Sequence, residues 1–357
     1  MSNSIRAVLV LFLPIVSLAA ADLSADALID NGHFKRAREI AEPAYKAHPD
    51  DAYANYVLAR IQHEFQNLDE AAKLGEAAVR LDPKSSAAHR ELGEIYADQA
   101  DHVSFLKQLG FARKIHAEFD AALAIAPKDP DNLFDQVQYF MEAPGVVGGD
   151  KSKAVQLANQ LVQIDPARGY LALAYIARSE KQDGQLEGLY QKAVEANPRN
   201  YEAQITLANY YVSAQHADFG QAEQHSHAAL ELNPDRIDAY RMLAIVLVLE
   251  KRYDDAARFI ARAQETIPDD LSPYVYAARA MLRSGLELPK AETYLKKYFT
   301  ETREPEAGAP LIAGAHWSLG LVYEKQGRKQ DAKNELETAL RLKPDFAPAK
   351  KDLKRLQ

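Results

Sequence analysis

The sequence predicts an all-α protein: helical hairpins stacked into a solenoid, about nine units long and closed by a short C-terminal helix. Three observations predict it. Prolines recur at Pro49, Pro83, Pro127, Pro166, Pro198, Pro234, Pro268 and Pro344, spaced 34, 44, 39, 32, 36, 34 and 76 residues apart, the last gap being two units long. Twelve residues before most of them stands an alanine (Ala37, Ala71, Ala154, Ala222, Ala256, Ala332), and five before stands Ala44, Ala78, Ala122, Leu161, Ala193, Ala229, Ala263 or Ala339. Small residues are needed there because two helices cross closely and a longer side chain would wedge them apart. Third, the first helix of seven units carries a pair at the same position: Leu58-Ala59, Leu92-Gly93, Leu173-Ala174, Leu207-Ala208, Leu243-Ala244, Ala277-Ala278 and Leu319-Gly320. Three residues beyond the small member, Tyr96, Tyr211 and Tyr323 supply a ring. Apolar residues at i, i+1 and i+4 mark a helical face, not a strand.

In chain order, residues 1–21 read as a cleavable secretory signal. One charge at Arg6 precedes the apolar run Ala7 to Val16, and Ala19 and Ala21 place small residues at −3 and −1. That run is short for a membrane span of about 20 residues. Asp22 is the expected new N-terminus, and an uncleaved anchor is the alternative. Residues 22–344 read as one continuous array. Its first unit has lost much of its first helix to the leader. Unit three carries about ten extra residues near 99–114, whose apolar spacing (Val103, Leu106, Leu109, Phe111) suggests longer helices. Unit four carries an extended internal turn at 143–150. Unit eight lacks its closing proline and runs into a loop near 300–310. Residues 345–357 read as a polar cap helix, with Lys350, Lys351, Lys354 and Arg355 suited to a helix C-terminus.

The last unit has the most complete pattern: His316-Trp317-Ser318-Leu319-Gly320, Tyr323, Gly327, Ala332, Ala339 and Pro344. That order of large, small and turn-forming residues resembles the tetratricopeptide repeat family, and the likeness runs through nearly the whole chain after the leader. It implies a right-handed superhelix whose first helices line a concave groove. Carried onto this sequence, the groove positions are Tyr53, Tyr56, Arg60, His63 and Glu64, then Arg90, Glu94 and Asp98, then Phe134, Gln138 and Met141, then Tyr175 and Arg178, then Asn209, Arg241 and Ile245. Tyr and Arg are residue types enriched at binding hot spots. The family's two-lysine, two-asparagine clamp for acidic C-terminal tails is not at the matching positions.

Other chemistry is weakly represented. A formal charge of −8 argues against the basic face that nucleic-acid binding needs. The absence of cysteine excludes disulfides and a lipid-attachment cysteine. His225 and His227 diverge by about 200° on a helix, and no zinc-type spacing occurs, so the histidines read as isolated surface residues and no metal or cofactor is expected. No G-x-S-x-G elbow is present, and the paired carboxylates Asp254-Asp255 and Asp269-Asp270 read as charges near helix starts. The turn with Gly145, Gly148, Gly149 and Asp150 is not a P-loop, because Asp150 stands where a lysine should follow glycine. It reads as a turn capped by Asp150, or else as a lip whose free N–H groups hold an anion or a partner. It also loosely resembles a turn of exported bacterial tetratricopeptide proteins. These features lead to an expected non-catalytic scaffold of the bacterial envelope, periplasmic, holding a peptide or protein in its groove. The alternative is a small-ligand or transporter-accessory protein with a pocket near residues 95–155.

Overall fold

The computed structural model describes residues 24–213, 215–301 and 312–356; the expected leader and all but the start of the expected 300–310 loop lie outside them. Nineteen α-helices and no strand occur among the described residues. The first pair is α1 (Ala25–Asp30) and α2 (Phe34–Ala47), followed by α3 (Ala52–Glu64) with α4 (Leu68–Leu81) and α5 (Ser86–Asp101) with α6 (Phe105–Ile125). Next come α7 (Pro130–Glu142) with α8 (Lys151–Ile164), α9 (Pro166–Ser179) with α10 (Leu186–Ala196), and α11 (Tyr201–Val212) with α12 (Phe219–Leu232). The last three pairs are α13 (Ile237–Leu249) with α14 (Tyr253–Thr266), α15 (Ser272–Ser284) with α16 (Leu288–Glu301), and α17 (Ile312–Lys325) with α18 (Lys329–Leu342). A final helix, α19 (Ala347–Leu356), packs on α18.

Each hairpin starts and stops by the same local chemistry. Asp51, Ser85, Asp129 and Asn200 accept the N–H three residues on, which satisfies a donor the helix leaves open. At the other end, the residue before the proline returns its N–H to the residue four back, as Asp82 does to Ala78 and Asn197 to Ala193. The proline then supplies no donor and stops the helix.

The alanines predicted at helix crossings are where the units meet. Ala37, Ala71, Ala154, Ala222, Ala256 and Ala332 are fully buried, as are Leu161, Ala193, Ala229 and Ala339. Ala44 departs from the expectation, being exposed, and Ala41 is buried instead. At about 1.5 Å per residue, the six residues of α1 reach about 9 Å and cannot cover the 14-residue α2 to its end. The extra length of unit three lies in α6, which has 21 residues where most second helices have 14. On α19, Ala349 is buried, and Trp317 of α17 donates from Nε1 to Asp352 at 2.8 Å.

Most neighbouring odd-numbered helices pack closely on one another, α5 and α7 being an exception, whereas even-numbered helices pack chiefly on the odd ones beside them. The closer-spaced row is the inner wall of the curve. The curve also closes on itself. Asn233 donates to Asn31 at 2.8 Å, and His33 is buried with its Nε2 3.1 Å from Asp235. Lys35 and Arg36 donate to the carbonyl and carboxylate of Asp269 at 2.9 and 3.3 Å. The first hairpin therefore seats against the turns that precede α13 and α15.

Candidate functional site: the inner wall

Side chains on the inner wall come from first helices, so equivalent positions in successive units lie side by side. In the first half of the array these positions carry alternating charge. Asp26, Arg60 and Glu94 stand one unit apart in sequence, and Arg60 donates to Asp26 at 3.1 Å and to Asp30 at 3.0 Å. Arg90 donates to Glu94 at 3.2 Å and approaches Asp135 at 3.8 Å. Arg168 bridges Asp131 at 2.9 Å and Glu202 at 2.5 Å, with its guanidinium 4.4 Å from the Phe134 ring centre. Tyr53 donates to Asp26, and Tyr175 donates to Glu142. Further on, Arg241 is held by Asp270 at 2.7 Å and Asp238 at 3.2 Å. The predicted groove residues Tyr53, Arg60, His63, Arg90, Glu94, Tyr175 and Arg241 thus all have partners within the array. Each is tied to a neighbouring side chain, and Tyr53 remains exposed as well. Asn209 is exposed, while Gln138 is half-buried and faces a cavity.

His63 is the most constrained of them. Its Nδ1 lies 2.8 Å from Glu91 and its Nε2 3.2 Å from Asp98. Burial alone would lower the imidazole pKa, but hydrogen bonds to Asp98 and Glu91 outweigh it and raise it to about 10. Burial and the neighbouring Glu91 and Asp135 push the Glu94 carboxyl up. Ligand atoms of His63, Glu91 and Glu94 lie within 4.8 Å of one another, the spacing a cation would need. With both ring nitrogens facing carboxylates, a protonated His63 already supplies that positive charge.

Two expectations about polar residues change here. The histidines do not all lie at the surface: His33 is buried, and His89 is held between Glu118 at 2.6 Å and the Pro83 carbonyl at 3.2 Å. His225 donates from Nδ1 to the Gln204 amide oxygen at 2.7 Å and stacks on Tyr211. Asp269 and Asp270 also do more than sit near a helix start, since each binds an arginine. Sequence spacing misses the partners of His33, Asp269 and Asp270 because they lie in other units, and those of His89 and His225 because they lie across the hairpin on the paired helix.

The glycine-containing turn is closed. The N–H groups of Val147, Gly148, Gly149 and Asp150 donate to the carbonyls of Pro144, Gly145, Pro144 and Phe140. Gly148 has φ of 107°, and a Cβ on Gly149 would fall 1.7 Å from the Ala143 oxygen, so both positions require glycine. Asp150 caps α8 by accepting from Ser152 and Lys153. The proposed lip Gly145, Gly148, Gly149 and Asp150 therefore has no row of free donors for an anion.

The two larger openings along the inner wall among the described residues differ in charge. A cavity of about 520 Å³ is bounded by α5, α6 and α7, with Glu94, Asp98, Asp101, Asp135 and Glu142 against the single base His63. A second, of about 560 Å³, crosses α9, α11, α13 and α15 and presents Arg178, Arg279 and Arg283 against the single acid Asp183. Arg279 and Arg283 were outside the predicted groove set, although they follow the same period on α15. The pair Ala277-Ala278 marks that register, placing Arg279 where Ile245 stands in unit seven.

Stacked helical hairpins with a charged inner wall define a helical-repeat solenoid. Models of the tetratricopeptide repeat match residues 23–86, 214–282 and 313–346, so the chain carries tetratricopeptide repeats. Over 142 residues it is 30% identical to Stress-induced-phosphoprotein 1 of Caenorhabditis elegans, a match covering 35% of this chain and 44% of that one. Over 185 residues it is 25% identical to Anaphase-promoting complex subunit 3 of Schizosaccharomyces pombe, covering 50% of this chain and 26% of that one. The chain thus spans less than half the length of either relative. Among solved structures it is similar to yeast Tom70 (14% identity, TM-score 0.49, 93% of this chain and 86% of that chain). It is also similar to a tetratricopeptide repeat protein from Parabacteroides merdae (18% identity, TM-score 0.46, 85% and 98%).

Proposed function

We propose that the chain is a non-catalytic interaction scaffold that holds a peptide or protein segment against its inner wall, and that it works in a bacterial envelope after export by residues 1–21. The observation that carries the reading is the wall itself. Its charged residues are braced by neighbouring units, so the surface is rigid before a partner arrives and little ordering remains to oppose binding. Anaphase-promoting complex subunit 3 is by its name a component of an assembly, which accords with a scaffold role for the repeats shared here. No helix among the described residues is long and apolar enough to cross a membrane.

The test is affinity capture from envelope extract with the tagged chain, repeated with Asn209→Trp. A partner retained by the native chain and lost by the variant supports the scaffold. A partner held equally by both places the binding surface elsewhere. Fractionation of the native chain, with the mass of its N-terminal peptide, checks export and an N-terminus at Asp22.

The cavity beside α6 favours a second reading, a small-ligand protein. Its walls include Leu109, Ala112, Ile115 and Phe119 as well as the acids. A discrete ligand mass that co-purifies in native mass spectrometry would select it over the scaffold.

A further inference from the structure

The arginines of the inner wall fall into two groups. Arg60, Arg90, Arg168 and Arg241 each have two or more carboxylates within 4 Å. Arg279 has none among the described residues. Its Nε donates to the Ser318 hydroxyl at 3.1 Å, and Tyr276 and Tyr298 are the acidic groups nearest it. Arg178 donates to the Tyr190 hydroxyl, and Arg283 is exposed on the next turn of α15 with no ion pair among the described residues. These three arginines share one opening of about 560 Å³ with a single acid, Asp183.

A half-buried cation without a counter-charge is costly to keep. Burial lowers the pKa of Arg279, the reverse of the shift at Arg60, Arg90 and Arg241. The packing nevertheless makes room for it. Opposite, on α17, stands Gly314, where a Cβ would fall 2.9 Å from an Arg279 Nη atom.

We propose that this opening is the seat of an acidic segment of a protein partner, with a side-chain carboxylate held by Arg279 and further carboxylates by Arg178 and Arg283. A guanidinium offers paired donors that match a carboxylate. The shape selects a segment over a small ion. The opening crosses four neighbouring helices, and at 8–10 Å between axes that is on the order of 25 Å. Asn209 and Ile245 lie between the arginines and supply a neutral floor. The charge of the wall also gives the segment a direction, because the acids of the α5–α7 cavity repel it from the other half.

The inference rests on the scaffold reading but is tested apart from it. The full chain is titrated with fluorescein-labelled hexaglutamate blocked at both ends, with hexaglutamine as the uncharged control and inorganic phosphate as competitor. Binding of hexaglutamate alone is expected, weakened at least tenfold by Arg279→Gln and also by Gly314→Ala, which displaces the guanidinium without removing it. Arg252→Gln, a change of an arginine paired with Glu223, Glu250 and Asp255, is expected to leave the affinity unchanged. The melting temperature of Arg279→Gln is expected to hold or rise, which an arginine serving only the fold would not allow. Equal binding by native chain and Arg279→Gln, no binding at 1 mM peptide, or complete competition by phosphate at the peptide's own dissociation constant would each overturn the proposal. If hexaglutamate fails while Asn209-dependent capture succeeds, the acidic seat is wrong and the scaffold stands. If hexaglutamate binds through Arg279 while capture fails, the seat stands without the scaffold.

Discussion

His33 in the first hairpin lies buried with its Nε2 3.1 Å from Asp235, a residue six units further along the chain. Arg36 and Lys35 add contacts to Asp269 beside it. Repeat arrays hold each unit by its neighbours alone, so a contact of this range fixes the curvature as a whole. Replacing Asp269 by Ala removes the carboxylate from Arg36 and leaves that cation half-buried. The expected cost is about 1–3 kcal/mol. Small-angle scattering should give a larger radius of gyration for the variant, and amide exchange should rise in residues 25–47. An unchanged radius with unchanged exchange would show that the clasp does not hold the ring in solution.

The His63 contacts set a pH dependence. Its folded pKa, about 10, lies above the unfolded value near 6.5, so its stabilising effect is complete below about pH 6.5 and is lost as pH rises toward 10. Glu94, raised by burial to about 8, acts in the same direction up to that pH, since ionising it in the folded state is unfavourable, whereas the loss from Asp135, raised to about 6, is largely complete by pH 6. Urea midpoints measured from pH 6 to pH 10 should therefore fall. His63→Gln should be less stable at pH 6 and show a flatter profile.

How far the sequence discloses this molecule depends on the range of the interaction. Helix crossings repeat within a unit, so the alanine and proline spacings disclose them, down to Ala256 and Ala332 with no exposed surface. Ala44 escapes because its burial depends on the length of α1, which the leader obscures. The pairing of Arg60 with Asp26, and of Arg168 with Glu202, was legible in principle: opposite charges 34 residues apart must meet if that is the period. Nothing local signals His33 with Asp235, because their meeting depends on curvature summed over six units. Arg279 needs the whole constellation of neighbours before its lack of a carboxylate among the described residues appears.

Helix crossings can be tested by overpacking. Ala256 is fully buried where α14 meets its neighbours, and Ala256→Trp should wedge them apart at a cost of about 1–3 kcal/mol or more. Differential scanning calorimetry should show a lower melting temperature. An unaltered melting temperature would mean that the repeat register is misplaced.

The closed turn before α8 makes a separate prediction. Gly149→Ala would place a methyl group 1.7 Å from the Ala143 oxygen, so the turn must open. The contact between the Tyr139 hydroxyl and the Val147 carbonyl would then be lost. A loss of about 2 kcal/mol or more is expected from such a clash, together with faster amide exchange over residues 143–150. A fully native melting temperature would remove the close approach from the account.

The central claim is that partners bind on the inner wall. It is tested most directly with a photo-crosslinking amino acid placed at Asn209, at Gln138, and at Val155, an exposed position on the second helix α8. Irradiation in cells should join a defined partner to the chain from Asn209 or Gln138 and not from Val155. Crosslinks from Val155 alone would contradict the account.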